Sequence, residues 1–84
     1  MNKRKLLERA LDKPGNFRFS ELIALVEGFG FRPSRIRGSH HIYVHPDVPE
    51  LINLQEVAGQ AKPYQIRQFL RIVERYNLAM ENEQ

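Results

Sequence analysis

The spacing of apolar residues changes twice along this chain, and that change restricts the fold more than any other feature. In NKRKLLERAL, residues 2–11, Leu6, Leu7, Ala10 and Leu11 recur at helical spacing, and DKPGN ends the pattern. FRFSELIALVEGFGF repeats it with Phe19, Leu22, Ile23 and Val26 on one stripe, which predicts a helix over 19–28 closed by Gly28-Phe29-Gly30. The period then shortens to about two. RPSRIRG, HHIYVHP and ELINLQE are short, contain β-branched or aromatic residues, and are separated by Gly38-Ser39 and by Pro46-Asp47-Val48-Pro49, the pattern of three antiparallel strands. Helical spacing returns after Lys62-Pro63, where Ile66, Phe69, Leu70, Val73 and Tyr76 trace an apolar face to residue 77. The terminal AMENEQ is expected to fray.

Helix, helix, three strands, helix is an α+β order. The helices must cover one face of the sheet to build a core, which leaves the other face wet. Function is expected on that open face or at its edge. A chain of 84 residues has room for one core, since it buries only a little over ~60% of its unfolded surface. With no cysteine, disulfides, thiolate zinc sites and thiol nucleophiles are excluded.

The longest apolar run, Leu22 to Val26, falls far short of the ~20 residues of a membrane-spanning helix. The basic MNKRK is followed by LLERALDK, charged where a signal peptide requires an apolar stretch. A cytoplasmic protein without a membrane partner is expected. Thirteen Lys and Arg against ten Asp and Glu give a net charge of +3. Because Glu81 and Glu83 stand in a tail without Lys or Arg, residues 1–77 carry +5, a basic body suited to polyanions or simply to solubility.

All three histidines fall in GSHHIYVH, residues 38–45. Side chains alternate along a strand, so His41, Tyr43 and His45 share one face and His40, Ile42 and Val44 the other. With Ile42 and Val44 directed to the core, His41 and His45 face solvent, while His40 escapes at the strand's start. An exposed histidine exchanges a proton near neutrality, and RNA offers it a substrate: once a base takes the proton of a 2′-hydroxyl, that oxygen attacks the adjacent phosphate. Arg35, Arg37 and Lys62 are positioned in sequence to meet phosphate oxygens. The plain alternative is that the histidines are polar residues on a wet sheet face. A zinc site from His41 and His45 is awkward, because positions four apart on a strand lie roughly 13 Å apart, and no metal or cofactor is expected.

Two further features are ambiguous. Arg67, Arg71 and Arg75 recur every four residues on the last helix, either a solvated face with Glu74 or a stripe for a polyanion. Tyr43 and Tyr64 are available to stack on bases or to pack. There is no Gly-rich phosphate loop, no GxSxG elbow and no paired-carboxylate motif.

The segment R-GSHHIYVHP followed by the KP-initiated helix resembles the HicA toxin family, small RNA-cleaving proteins of bacterial type II toxin–antitoxin pairs. The resemblance covers residues 17–78, within a domain of residues 16–78 that has 1–15 as an added helical extension and 79–84 as a tail. It implies a double-stranded-RNA-binding-like α-β-β-β-α fold and metal-independent endonucleolytic cleavage of mRNA. It also implies an essential histidine at His41 or His40, and a HicB-type antitoxin as partner. The facing argument favours His41; Gly38 and Ser39 shape the turn that presents both to RNA, with Arg35, Arg37, Tyr43, Lys62, Arg67 and Arg71 as contacts. LQEVAGQAKP stands where many members carry Pro-x-His after the third strand. The competing readings are a non-catalytic RNA-binding module and a domain whose basic face docks an acidic protein.

Overall fold

The computed structural model describes residues 2–81. Their order is α1 (Lys3–Asp12), α2 (Phe19–Gly28), β1 (Arg32–Arg37), β2 (His40–His45), β3 (Val48–Gln55) and α3 (Pro63–Arg75). The strands form one antiparallel sheet in the order β1-β2-β3. The architecture is therefore α+β, with the double-stranded-RNA-binding-like α-β-β-β-α arrangement running from α2 to α3. The turn before β3 is shorter than its prolines suggest: pairing resumes at Val48, opposite His45.

The helices close over one sheet face. Leu22, Leu25 and Val26 of α2, Ile66, Phe69 and Ile72 of α3, and Tyr43, Ile52 and Leu54 of the sheet form one buried cluster with Phe17, Phe29 and Phe31. With its amide turned so that oxygen and nitrogen each face a partner, buried Gln65 bonds the main chain of Gln55 in both directions, at 3.2 and 3.0 Å, and α3's first turn then ties down the end of β3. Strand β1 is exposed throughout and forms a sheet edge, where Pro33, a break in register between Pro33 and Arg35, and three arginines discourage pairing with another chain.

Helix α1 joins the same core through Leu6 and Ala10. It is pinned by Arg9, whose guanidinium donates to both carboxylate oxygens of Glu21 at 2.6 and 3.1 Å and lies 4.4 Å from the centre of the Phe17 ring. Glu21 also accepts the Arg18 N–H at 3.0 Å, satisfying a donor at the start of α2. The Arg9 side chain first, and the Arg18 main chain second, hold the Glu21 carboxyl below the usual carboxylate range. A depressed folded-state value adds stability above the ordinary carboxylate range, and that stability disappears as pH falls through the folded-state value. Glu21→Gln is expected to cost about 1 kcal/mol at neutral pH, the size of a lost cap. Thermal melts from pH 7 to pH 3 should show the variant converging on wild type at the acid end.

Residues 79–81 do not splay away as the tail was expected to. Met80 packs against the core, and the Glu81 N–H donates to the Gly28 carbonyl at 2.6 Å; the rest of the expected frayed tail, 82–84, lies outside the described residues.

Candidate functional site on the open sheet face

The facing of β2 is the reverse of the one expected. Tyr43 is buried at 4% exposure and directed to the helices, whereas Val44 on the opposite face is 41% exposed. The reason is aromatic packing. His41 lies 4.8 Å ring to ring from Phe19, and His45 lies 5.0 Å from Phe31, both tilted. Three rings at alternate positions thus line the core side, where a tyrosine removes more apolar surface from water than the smaller Ile42 or Val44 would. Tyr43 is accordingly not free to stack on bases: its hydroxyl donates to Glu27 at 3.4 Å, and burial raises its pKa.

The three histidines separate by their partners. His45 Nδ1 accepts the Asp47 N–H at 3.0 Å and so locks the β2–β3 turn. His41 is half-buried against Phe19, and no hydrogen bond to another described residue engages its ring. His40 is exposed on the open face, and its Nδ1 lies 3.2 Å from Asn53 Oδ1.

Register decides what surrounds His40. It pairs with Arg37 on β1, and Ile42 pairs with Arg35, so both guanidinium side chains leave the sheet on the face that carries His40. Across β3, Ile42 pairs with Asn53, which the sequence reading does not single out. Only the inter-strand register brings it diagonally beside His40. The β1–β2 connection is the two residues Gly38 and Ser39; Gly38 has φ +61° and Ser39 does not share the positive φ, the pattern of a type II′ hairpin turn. Space around Gly38 is open, so φ is the constraint. Gly38→Ala is expected to cost about 1 kcal/mol, a fall of roughly 4–8 °C in Tm by circular dichroism.

The remaining expected contacts lie elsewhere. Lys62 is in the β3–α3 connection near Asn16 and Val57. Arg67 and Arg71 border a groove of about 820 Å³ on the helical side, between α1 and α3, which Leu7, Leu11, Leu70 and Met80 also line and no histidine reaches. The expected arginine stripe is broken at Arg75, which donates to Glu50 at 2.8 Å beside the Tyr76 hydroxyl, itself 2.6 Å from the same carboxylate. Among the described residues no three His, Asp or Glu side chains gather as metal ligands, and no helix is long and apolar enough to cross a membrane.

The fold and this face define a small α+β domain of double-stranded-RNA-binding-like arrangement, with a histidine and two arginines on the uncovered side of its sheet. Residues 19–74 match the model of a protein family described as the HicA toxin of bacterial toxin–antitoxin pairs. The chain belongs to the HicA toxin family. Membership makes it the toxin of a toxin–antitoxin pair, a class generally composed of mRNA-cleaving ribonucleases, and implies a cognate antitoxin. Searches among curated proteins and among solved structures returned no match.

Proposed function

We propose that this protein is a metal-independent endoribonuclease that cleaves mRNA with His40 as its acid/base group, in the cytoplasm, and that a HicB-type antitoxin restrains it. The observation that carries the reading is the placement of His40: exposed, held at Nδ1 by Asn53, and on the same sheet face as Arg35 and Arg37. With the Asn53 oxygen as the partner of Nδ1, the proton sits on Nδ1 and Nε2 is the free lone pair. It accepts the proton of a 2′-hydroxyl as that oxygen forms its bond to phosphorus and the P–O5′ bond breaks. The resulting imidazolium then supplies a proton to the departing 5′-oxygen, directly or through water. Arg35 and Arg37 offset charge on the non-bridging oxygens as the phosphorane develops.

His41 is the second candidate. Its ring is oriented by Phe19 and makes no hydrogen bond to a described residue, so its nitrogens remain available to a substrate proton. His45 is assigned to the turn, since its Nδ1 is already an acceptor for Asp47.

The test is cleavage of an end-labelled single-stranded RNA by the purified chain in EDTA, with His40→Ala, His41→Ala and His45→Ala beside wild type. A 2′,3′-cyclic phosphate at the new end would identify 2′-hydroxyl attack. No cleavage by folded wild type, or cleavage only when a divalent metal is restored, refutes the mechanism. RNA binding that persists in all variants without cleavage in wild type would instead identify a non-catalytic RNA-binding module.

A further inference from the structure

The contact between His40 and Asn53 has a chemical direction. An amide oxygen only accepts hydrogen bonds, so with Asn53 Oδ1 turned toward the ring, 3.2 Å from Nδ1, the contact is a hydrogen bond when Nδ1 carries the proton; the opposite amide orientation would pair with the opposite tautomer. With the oxygen toward the ring, the neutral form is the Nδ1–H tautomer, with its lone pair at Nε2, on the side of the ring away from Asn53. In water the opposite tautomer predominates for a free histidine. We infer that Asn53 is a positioning residue for the ribonuclease reaction: it sets the tautomer and the aim of His40, and so makes Nε2 the atom that meets the substrate. The inference rests on the assignment of His40 as the acid/base group.

The fold supports this role from both sides. Asn53 is exposed on β3, paired with Ile42 of the central strand, so its Cβ is held by a ladder that is paired on either side of that residue. His40 stands at the first position of β2, directly after the Gly38-Ser39 turn, and the Ser39 carbonyl accepts the Glu56 N–H at 3.0 Å, which ties that turn to the end of β3. The base and its orienting group therefore sit on adjacent, hydrogen-bonded strands rather than on a loop. A base whose second nitrogen is held by a fixed acceptor loses less freedom on reaching the transition state.

Two variants separate orientation from mere packing. Asn53→Leu keeps a side chain of similar size on an exposed strand position and removes the acceptor. Asn53→Asp keeps an acceptor for Nδ1–H and adds a negative charge that favours the imidazolium. In steady-state cleavage by the full chain, Asn53→Leu is expected to lower kcat by roughly tenfold to a hundredfold, part of the ~10²–10⁴ that an acid/base group supplies, with little change in KM. Asn53→Asp is expected to retain cleavage with the acid limb of its pH profile moved to higher pH. Long-range ¹H–¹⁵N spectra of the histidine rings, assigned with His40→Ala, read the tautomer without reference to activity. Wild type should show Nδ1–H at residue 40, and Asn53→Leu should shift it toward Nε2–H.

An Nε2–H tautomer at His40 in wild type, or an Asn53→Leu variant with wild-type kcat and pH profile, overturns the inference and leaves His40 as the acid/base group. Wild-type cleavage by His40→Ala overturns both together.

Discussion

His40→Ala should reduce the cleavage rate by roughly 10²- to 10⁴-fold, the range attributable to one acid/base group, while the protein stays folded and bound to RNA. The folded state should barely change, because the side chain is exposed and its one hydrogen bond is to exposed Asn53; surface substitutions of this kind lie within about 0.5 kcal/mol of wild type. Binding should persist, because Arg35 and Arg37, the proposed phosphate contacts, are untouched. Its salt dependence should match wild type as well, since the slope of log K against log salt counts phosphates neutralised, not protons transferred. His41→Ala tests the competing assignment under the same conditions. It removes a ring packed on Phe19 and leaves an exposed His40 intact, so a loss of chemistry confined to His41→Ala, at unchanged fold and affinity, would move the acid/base role to the core side of β2. The measurement is single-turnover cleavage with enzyme in excess, which isolates the chemical step from RNA release.

The second large effect is on stability. Phe69→Ala should cost about 3–5 kcal/mol, against the 4–13 kcal/mol or so expected for a domain of this length. Phe69 is fully buried and meets Phe29 and Phe31 edge to face, with ring centroids 5.6 and 5.7 Å away. Truncation removes the ring of α3 that both aromatics of the α2–β1 segment pack against, and backbone held by three elements cannot collapse fully into the space. Urea denaturation should show a lower midpoint with an unchanged slope, whereas Phe69→Leu, which refills most of the volume, should lose much less. Cleavage by Phe69→Ala would then fall in proportion to the unfolded fraction and recover on cooling, unlike that of His40→Ala. A Phe69→Ala protein as stable as wild type would mean that the three-ring cluster is not the centre of the core.

Much of the architecture is legible in local spacing. Leu22, Ile23 and Val26 mark α2, Ile66, Phe69 and Val73 mark α3, and Lys62-Pro63 and Gly38-Ser39 mark a helix start and a hairpin, because these signals depend on residues within one turn or one strand. The segment GSHHIYVHP, with its place before the last helix, was also enough to indicate the family. The side of β2 that faces the core was not legible. Its two faces offer Ile42 and Val44 against Tyr43 flanked by two histidines, and local hydropathy prefers the aliphatic pair. The choice went to the rings, because Phe19 and Phe31 stand opposite them in three dimensions and no local pattern reports that.

The same limit applies to the candidate site. The sequence by itself determined the element order, the hairpin that presents His40 and His41, a basic first strand and the absence of cysteine. Tertiary structure alone decided that His40, Arg35 and Arg37 share an open face, that Asn53 stands 3.2 Å from the His40 ring, and that Arg67 and Arg71 lie beside α1 rather than with the histidines. Periodicity assigns a residue to one of two faces of its own strand or helix. Which face is buried, and which side chain of a neighbouring strand lies beside it, depends on inter-strand register and on the shape of the packed core, quantities set by contacts distant in the chain.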